Sequence, residues 1–161
     1  YTMQQALREA IQAKKDLYDF YREAAEVTEN LAGKMVLQRL CDEVGENIGK
    51  FFKYYQNNNL GSLDEFLATP PQSGSVMLTE LRKALDKKVQ ARKARELAMQ
   101  EEKSIEMSFR RAAQQVIDPQ VRNIFLEVAD DAARHFAIIE SEYEYQITRI
   151  HESDVATYVR E

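Results

Sequence analysis

The stretch from Glu102 to His135, EKSIEMSFRRAAQQVIDPQVRNIFLEVADDAARH, decides the fold, because residues 94–139 around it lie over residues 6–51 without a gap. At this offset of 88 positions, Ala6/Ala94, Ala10/Ala98, Gln12/Gln100, Lys15/Lys103, Arg22/Arg110, Ala24/Ala112, Ala25/Ala113 and Asp42/Asp130 are identical. Between them, Ile11/Met99, Leu17/Ile105, Tyr21/Phe109, Val36/Ile124, Leu37/Phe125, Leu40/Val128, Ile48/Phe136 and Phe51/Ile139 keep apolar or aromatic character. Register, apolar face and interhelix break agree together, so the sequence reads as one helical hairpin used twice.

Composition points the same way. A chain of 161 residues has the size of one domain, here residues 1–161, and can bury a substantial core. With 44% hydrophobic and 30% charged residues but only five Gly and three Pro, long helices with solvated faces are favoured over sheet. The formal charge of −5 argues against a nucleic-acid or anionic-membrane partner, either of which needs a dominant basic surface. The basic run Arg82, Lys83, Lys87, Lys88, Arg92, Lys93 and Arg95 reads as a solvated helix face. A single cysteine, Cys41, excludes a disulfide within the chain, and no segment approaches the ~20 apolar residues of a membrane span. A cytoplasmic location is the expectation, although the first residue is not Met and a leader could have been removed.

In chain order, residues 3–28 carry apolar positions at three- and four-residue spacing, the mark of an amphipathic helix. Asn30 can cap a second helix whose stripe includes Val36, Leu37, Leu40, Val44, Ile48 and Phe51. The Asn- and Gly-containing run at 57–61 predicts its end, which makes the first hairpin approximately 3–57. A crossover of approximately 58–76 follows, with a capping box at Ser62 to Glu65 and a Pro-Pro loop at 69–75. The second hairpin, approximately 77–150, would begin with a helix longer than its partners, so a bend or a separate entry segment is expected near 86–92. Asp118-Pro119 starts the fourth helix, and Ser153 or Asp154 could cap a short C-terminal helix over 155–160. These elements describe an all-α, ferritin-like four-helix bundle made of two repeated hairpins joined by a long crossover.

The segments Ala98 to Lys103 with Phe109, and Val128 to Asp131 with His135, resemble the second half of the rubrerythrin-like branch of the ferritin-like superfamily; Ala10 to Tyr21 and Leu40 to Asn47 resemble the first half in more degraded form. The resemblance implies a di-iron centre, with each hairpin supplying a Glu from its first helix and a Glu-x-x-His from its second. Position by position, only Glu102 and His135 match those ligands. Lys14 stands at the first single glutamate, Val44 and Asn47 at the first Glu-x-x-His, and Ala132 at the glutamate before His135. The substitutions imply that the di-iron site is largely lost.

Lys14, facing Glu102 across the bundle, is expected to form an ion pair with it, directly or through one water, within a polar network of Lys14, Tyr18, Glu43 and Glu102. If any metal remains, iron or another divalent ion, its remnant ligands would be Glu102, His135, Glu106 and Asp131, two i,i+4 pairs with carboxylate and imidazole donors. Three function classes follow: a non-catalytic scaffold or interaction protein without cofactor, an iron-dependent oxidoreductase with a reduced or mononuclear site, and a basic-face binding module. The first is preferred. No partner is named by the sequence, and a homodimer is the commonest form of self-association.

Overall fold

The computed structural model describes residues 1–84 and 86–143, and every regular element among them is helical. In order these are α1 (Met3–Val27), α2 (Leu31–Phe52), α3 (Leu63–Ala68), α4 (Val76–Lys83), α5 (Lys87–Gln115) and α6 (Pro119–Ile138), followed by a π-helical turn, Ile139–Tyr143. The expected course of the fourth helix beyond Tyr143 and the C-terminal helix at 155–160 lie outside the described residues.

Short polar side chains set the starts. Asn30 accepts from Gly33 N at 2.7 Å, and Ser62 and Glu65 form the expected reciprocal capping box. The Asp118 carboxylate accepts from Gln120 N and Val121 N at 2.9 and 3.2 Å, with Pro119 just inside the helix where its missing N–H is harmless. The separate entry segment is the form taken: α4 ends at Lys83, slightly before the expected range, and α5 starts at Lys87. There Asp86 takes Lys88 N and Val89 N at 2.7 and 3.2 Å and starts α5 anew.

The second helix is shorter than expected, ending at Phe52 instead of reaching residue 57. Tyr54 N and Tyr55 N both turn back to the carbonyl of Phe51, at 3.1 and 3.2 Å, which tightens the last turn and stops propagation. Gln4 then pins the outgoing chain to α1, donating to Tyr54 O at 3.0 Å and accepting from Gln56 N at 2.9 Å.

Helix α1 packs chiefly on α2, and α5 chiefly on α6; α1 also meets α5, and α2 meets α6. Connections of three residues make each of the first two pairs antiparallel. Phe51, Phe109 and Phe125 from α2, α5 and α6 form one aromatic cluster, with ring centroids 5.0 to 5.7 Å apart. At the α5–α6 turn, the Arg122 guanidinium donates to the carbonyls of Ala113 and Val116, satisfying groups that the end of α5 leaves free.

The crossover is anchored to the first hairpin. Gly45 and Gly49 give α2 a flat strip for α3: a Cβ at Gly49 would lie 3.2 Å from Leu63 Cδ2, and one at Gly45 would meet Tyr18 at 3.3 Å and Leu67 at 3.7 Å. Phe66 is buried there against Phe52, at 5.5 Å between rings. Below it, buried Lys15 binds Asp19 at 2.6 Å and the carbonyl of Thr69 at 3.0 Å, so a charge pair on α1 also holds the end of α3.

Candidate functional site

The six positions that the resemblance would make ligands, Lys14, Val44, Asn47, Glu102, Ala132 and His135, are all buried. They come from all four long helices, so the stripe of every helix contributes to one interior region. Two of the six are apolar. Of the other four, Glu102 and His135 are bonded to one another, Asn47 is bonded to Asp131, and Lys14 feels the charges of Glu102 and Asp131 without a hydrogen bond to either.

Glu102 is the centre of this polar cluster. Oε2 accepts from the Tyr21 hydroxyl at 2.8 Å and lies 2.9 Å from His135 Nδ1, while Oε1 has no partner. A carboxylate oxygen accepts, so towards Glu102 it is Nδ1 that donates. His135 Nε2 is 3.6 Å from Glu43 Oε1, too long for a hydrogen bond, and is itself without one. Glu43 instead binds Arg134, whose guanidinium also approaches Asp131 at 3.5 Å. Burial would raise the Glu43 carboxyl, but the Arg134 hydrogen bond and the neighbouring His135 and Arg134 charges outweigh it and hold Glu43 below the ordinary range. Asn47 Nδ2 donates to Asp131 at 3.0 Å, leaving Oδ1 unpaired.

Lys14 is fully buried, yet Nζ has no hydrogen-bond partner. Of the two forms expected for the contact with Glu102, direct or through one water, the direct hydrogen bond is not made, although Glu102 Oε1 is free to accept one. Burial pushes the Lys14 ammonium below its ordinary range, while negative charge on Glu102, Asp131 and Glu101 pulls it back up. Glu101, the adjacent acid, is raised by burial first and then by the charges of Asp16 and Glu102.

Two named residues fall elsewhere. Glu106 turns outward to Arg110, at 2.9 Å, and Lys103, at 3.6 Å, so Glu102 and Glu106 do not share a site. Four residues advance a helix about 400°, which turns Glu106 about 40° off the Glu102 line. The same offset removes Tyr18, which packs its ring under Arg22, 5.6 Å away, and against α2. Tyr21, two turns from Lys14 and only about 20° off its line, is the tyrosine of the cluster. Its signal was its pairing with Phe109: a buried hydroxyl on an otherwise aromatic stripe needs a partner.

As a donor set this cluster does not fit a di-iron centre. It offers one carboxylate already bridged by hydrogen bonds, one imidazole, an amide, two apolar side chains and an amine. Among the described residues, no group of three His, Cys, Asp or Glu side chains is arranged to hold a metal ion. No helix among them is long and apolar enough to cross a membrane. No family model matches this chain, and no curated protein or solved structure matches it.

Proposed function

We propose that this chain is a ferritin-like, rubrerythrin-related four-helix bundle in which a hydrogen-bonded polar cluster replaces the di-iron centre, leaving a non-catalytic scaffold or interaction protein. One observation carries the reading: Lys14 is fully buried, and the resemblance would give its position to a ligand carboxylate. An ammonium there has no lone pair for a metal and repels the cation, while supplying the positive charge that a buried Glu102 needs.

The pairing of burial across the 88-residue offset supports the fold. Ala6 and Ala94, Ala10 and Ala98, Lys14 and Glu102, Leu17 and Ile105, Tyr21 and Phe109, Leu40 and Val128, and Asn47 and His135 are buried on both sides. Apolar pairs could match in any two amphipathic helices; the two polar pairs are the discriminating ones. The runner-up, an iron-binding oxidoreductase with a mononuclear site, is favoured by the free Glu102 Oε1 and His135 Nε2. Elemental analysis of protein purified without chelators, followed by ferrous titration, separates the two. The scaffold reading expects substoichiometric metal and no saturable iron binding, whereas one tightly held iron lost in a His135→Ala variant would establish the runner-up.

A further inference from the structure

An open groove of about 680 Å³ runs between the first two turns of α1 and the chain that leaves α2, with Gln4, Gln5 and Arg8 on one side and Tyr55 to Asn58 on the other. Its size is that of a small-molecule site. Every side chain that lines it is polar: five carboxamides, a guanidinium and a phenol, with no carboxylate among them. Gln4 ties the two walls together, donating to Tyr54 O at 3.0 Å and accepting from Gln56 N at 2.9 Å.

The bonds within these walls decide what the groove offers. A backbone amide can only donate, so each carboxamide that it reaches must turn its oxygen to it. Thr2 N takes Gln5 Oε1 at 2.6 Å, Gln56 N takes Gln4 Oε1, and Asn59 N takes Asn57 Oδ1 at 2.9 Å. Three of the five carboxamide oxygens are thereby occupied from within the chain, and their NH2 groups point the other way, oriented by donors that cannot be reversed. Arg8 adds a positive charge, and its Nη1 donates to the neutral oxygen of Gln12 at 3.3 Å, not to a carboxylate. Tyr55 gives its hydroxyl proton to Asn59 Oδ1 at 3.2 Å and leaves its ring as the one aromatic surface of the groove. Gln56 and Asn58 each bring a further carboxamide. The balance is an excess of donors around one cation, which suits a ligand whose acceptors carry negative charge.

We propose that this groove binds a small organic oxyanion, a carboxylate or a phosphate monoester, whose negative oxygens are held by Arg8 and by the side-chain N–H groups of Gln5 and Asn57, with the body of the ligand against Tyr55. Both acids present the same acceptors to a guanidinium and to amide N–H groups, so the negative oxygens define the site. Gln4 and Lys14 are ten residues apart on α1, ~15 Å at 1.5 Å per residue, and the groove is separate from the interior cluster. The proposal therefore goes beyond the scaffold reading and neither depends on it nor supports it.

Titrating the nitrogen-15-labelled full chain with phenyl phosphate, with benzoate and with neutral benzyl alcohol tests it. Expected are saturable shifts of the Gln5 and Asn57 side-chain NH2 signals and of Arg8 Nε–H with at least one of the two anions, and none with the alcohol; the anion that binds more tightly identifies the acid. Absence of a saturable shift with either anion, or equal shifts with the alcohol, would overturn the proposal. Gln5→Glu separates binding from folding. Glu65 fills the same capping role at α3, so this variant keeps the bond from Thr2 N while replacing the N–H donors with a negative oxygen. Its Tm should equal or exceed the parent's while anion affinity falls on the order of ten-fold or more. Arg8→Met should lose binding as well, and anion affinity unchanged in both variants contradicts the proposal.

Discussion

Lys14 sits where its effect on stability can be isolated. Replacing it with Met keeps most of the volume and removes a buried positive charge that offsets buried Glu102, so the variant is expected to lose ~3–5 kcal/mol in urea denaturation. Adding Glu102→Gln should recover part of that loss, because the two residues act on one another and their effects cannot add. Additive losses would separate them. The pH dependence follows from the same burial. Since burial lowers the Lys14 proton affinity, the unfolded chain binds more protons than the folded one between the depressed value and the ordinary 10.5, and stability rises with pH across that interval. Lys14→Met lacks this contribution but keeps Glu102, Asp131, Glu101, Glu43 and His135. The Tm difference, parent minus variant, should therefore grow as pH is raised towards 10.5; a difference that shrinks would show that the ammonium is stabilised by its surroundings. Cys41 gives an independent check on burial. Its thiol, which donates to Tyr18 O at 3.4 Å, is pushed up to about 12 by burial, then by nearby Asp42. Reaction with a disulfide reagent at mildly alkaline pH should be on the order of a hundred-fold slower in the folded protein than in the unfolded chain.

At the scale of elements, the seat of α3 on α2 depends on Gly49. Gly49→Ala brings a Cβ to 3.2 Å from a flexible leucine tip while removing the helix penalty of glycine, so its stability should stay within about 1 kcal/mol of the parent. Gly49→Leu cannot be accommodated without displacing α3 and is expected to cost ~1–3 kcal/mol, read as a lower urea midpoint. Equal effects of the two substitutions would mean that α3 is not held there. Helix starts were legible because caps are local: Asn30, Ser62 with Glu65, and Asp118 before Pro119 satisfy amides two or three residues away. The end of α2 was less so, since it depends on the tightened turn at Phe51 and on Gln4 from another helix, not on the asparagines that follow. Lys15 and Asp19 were missed for a related reason. Lys103, the repeat mate of Lys15, is exposed, whereas Lys15 is covered by Phe66 and bound by the Thr69 carbonyl of the crossover.

Across the whole molecule, the stripes that pointed to an interior ligand region placed all six aligned positions inside the protein. What they could not give was the pairing within it, because a helical repeat specifies a face but not which of several acids on neighbouring lines will turn inward. Tyr21 and not Tyr18, and His135 and not Lys14, hold Glu102. The central claim, that a polar cluster stands where a metal centre would, is tested most directly by rebuilding the ligands: Lys14→Glu, Val44→Glu, Asn47→His and Ala132→Glu in one chain. Without metal this variant concentrates buried acids and should melt lower than the parent. Ferrous iron binding only to its folded state should raise its Tm progressively with concentration, while the parent's Tm stays constant. A parent whose Tm climbs with iron, or a folded quadruple variant indifferent to it, would contradict the account.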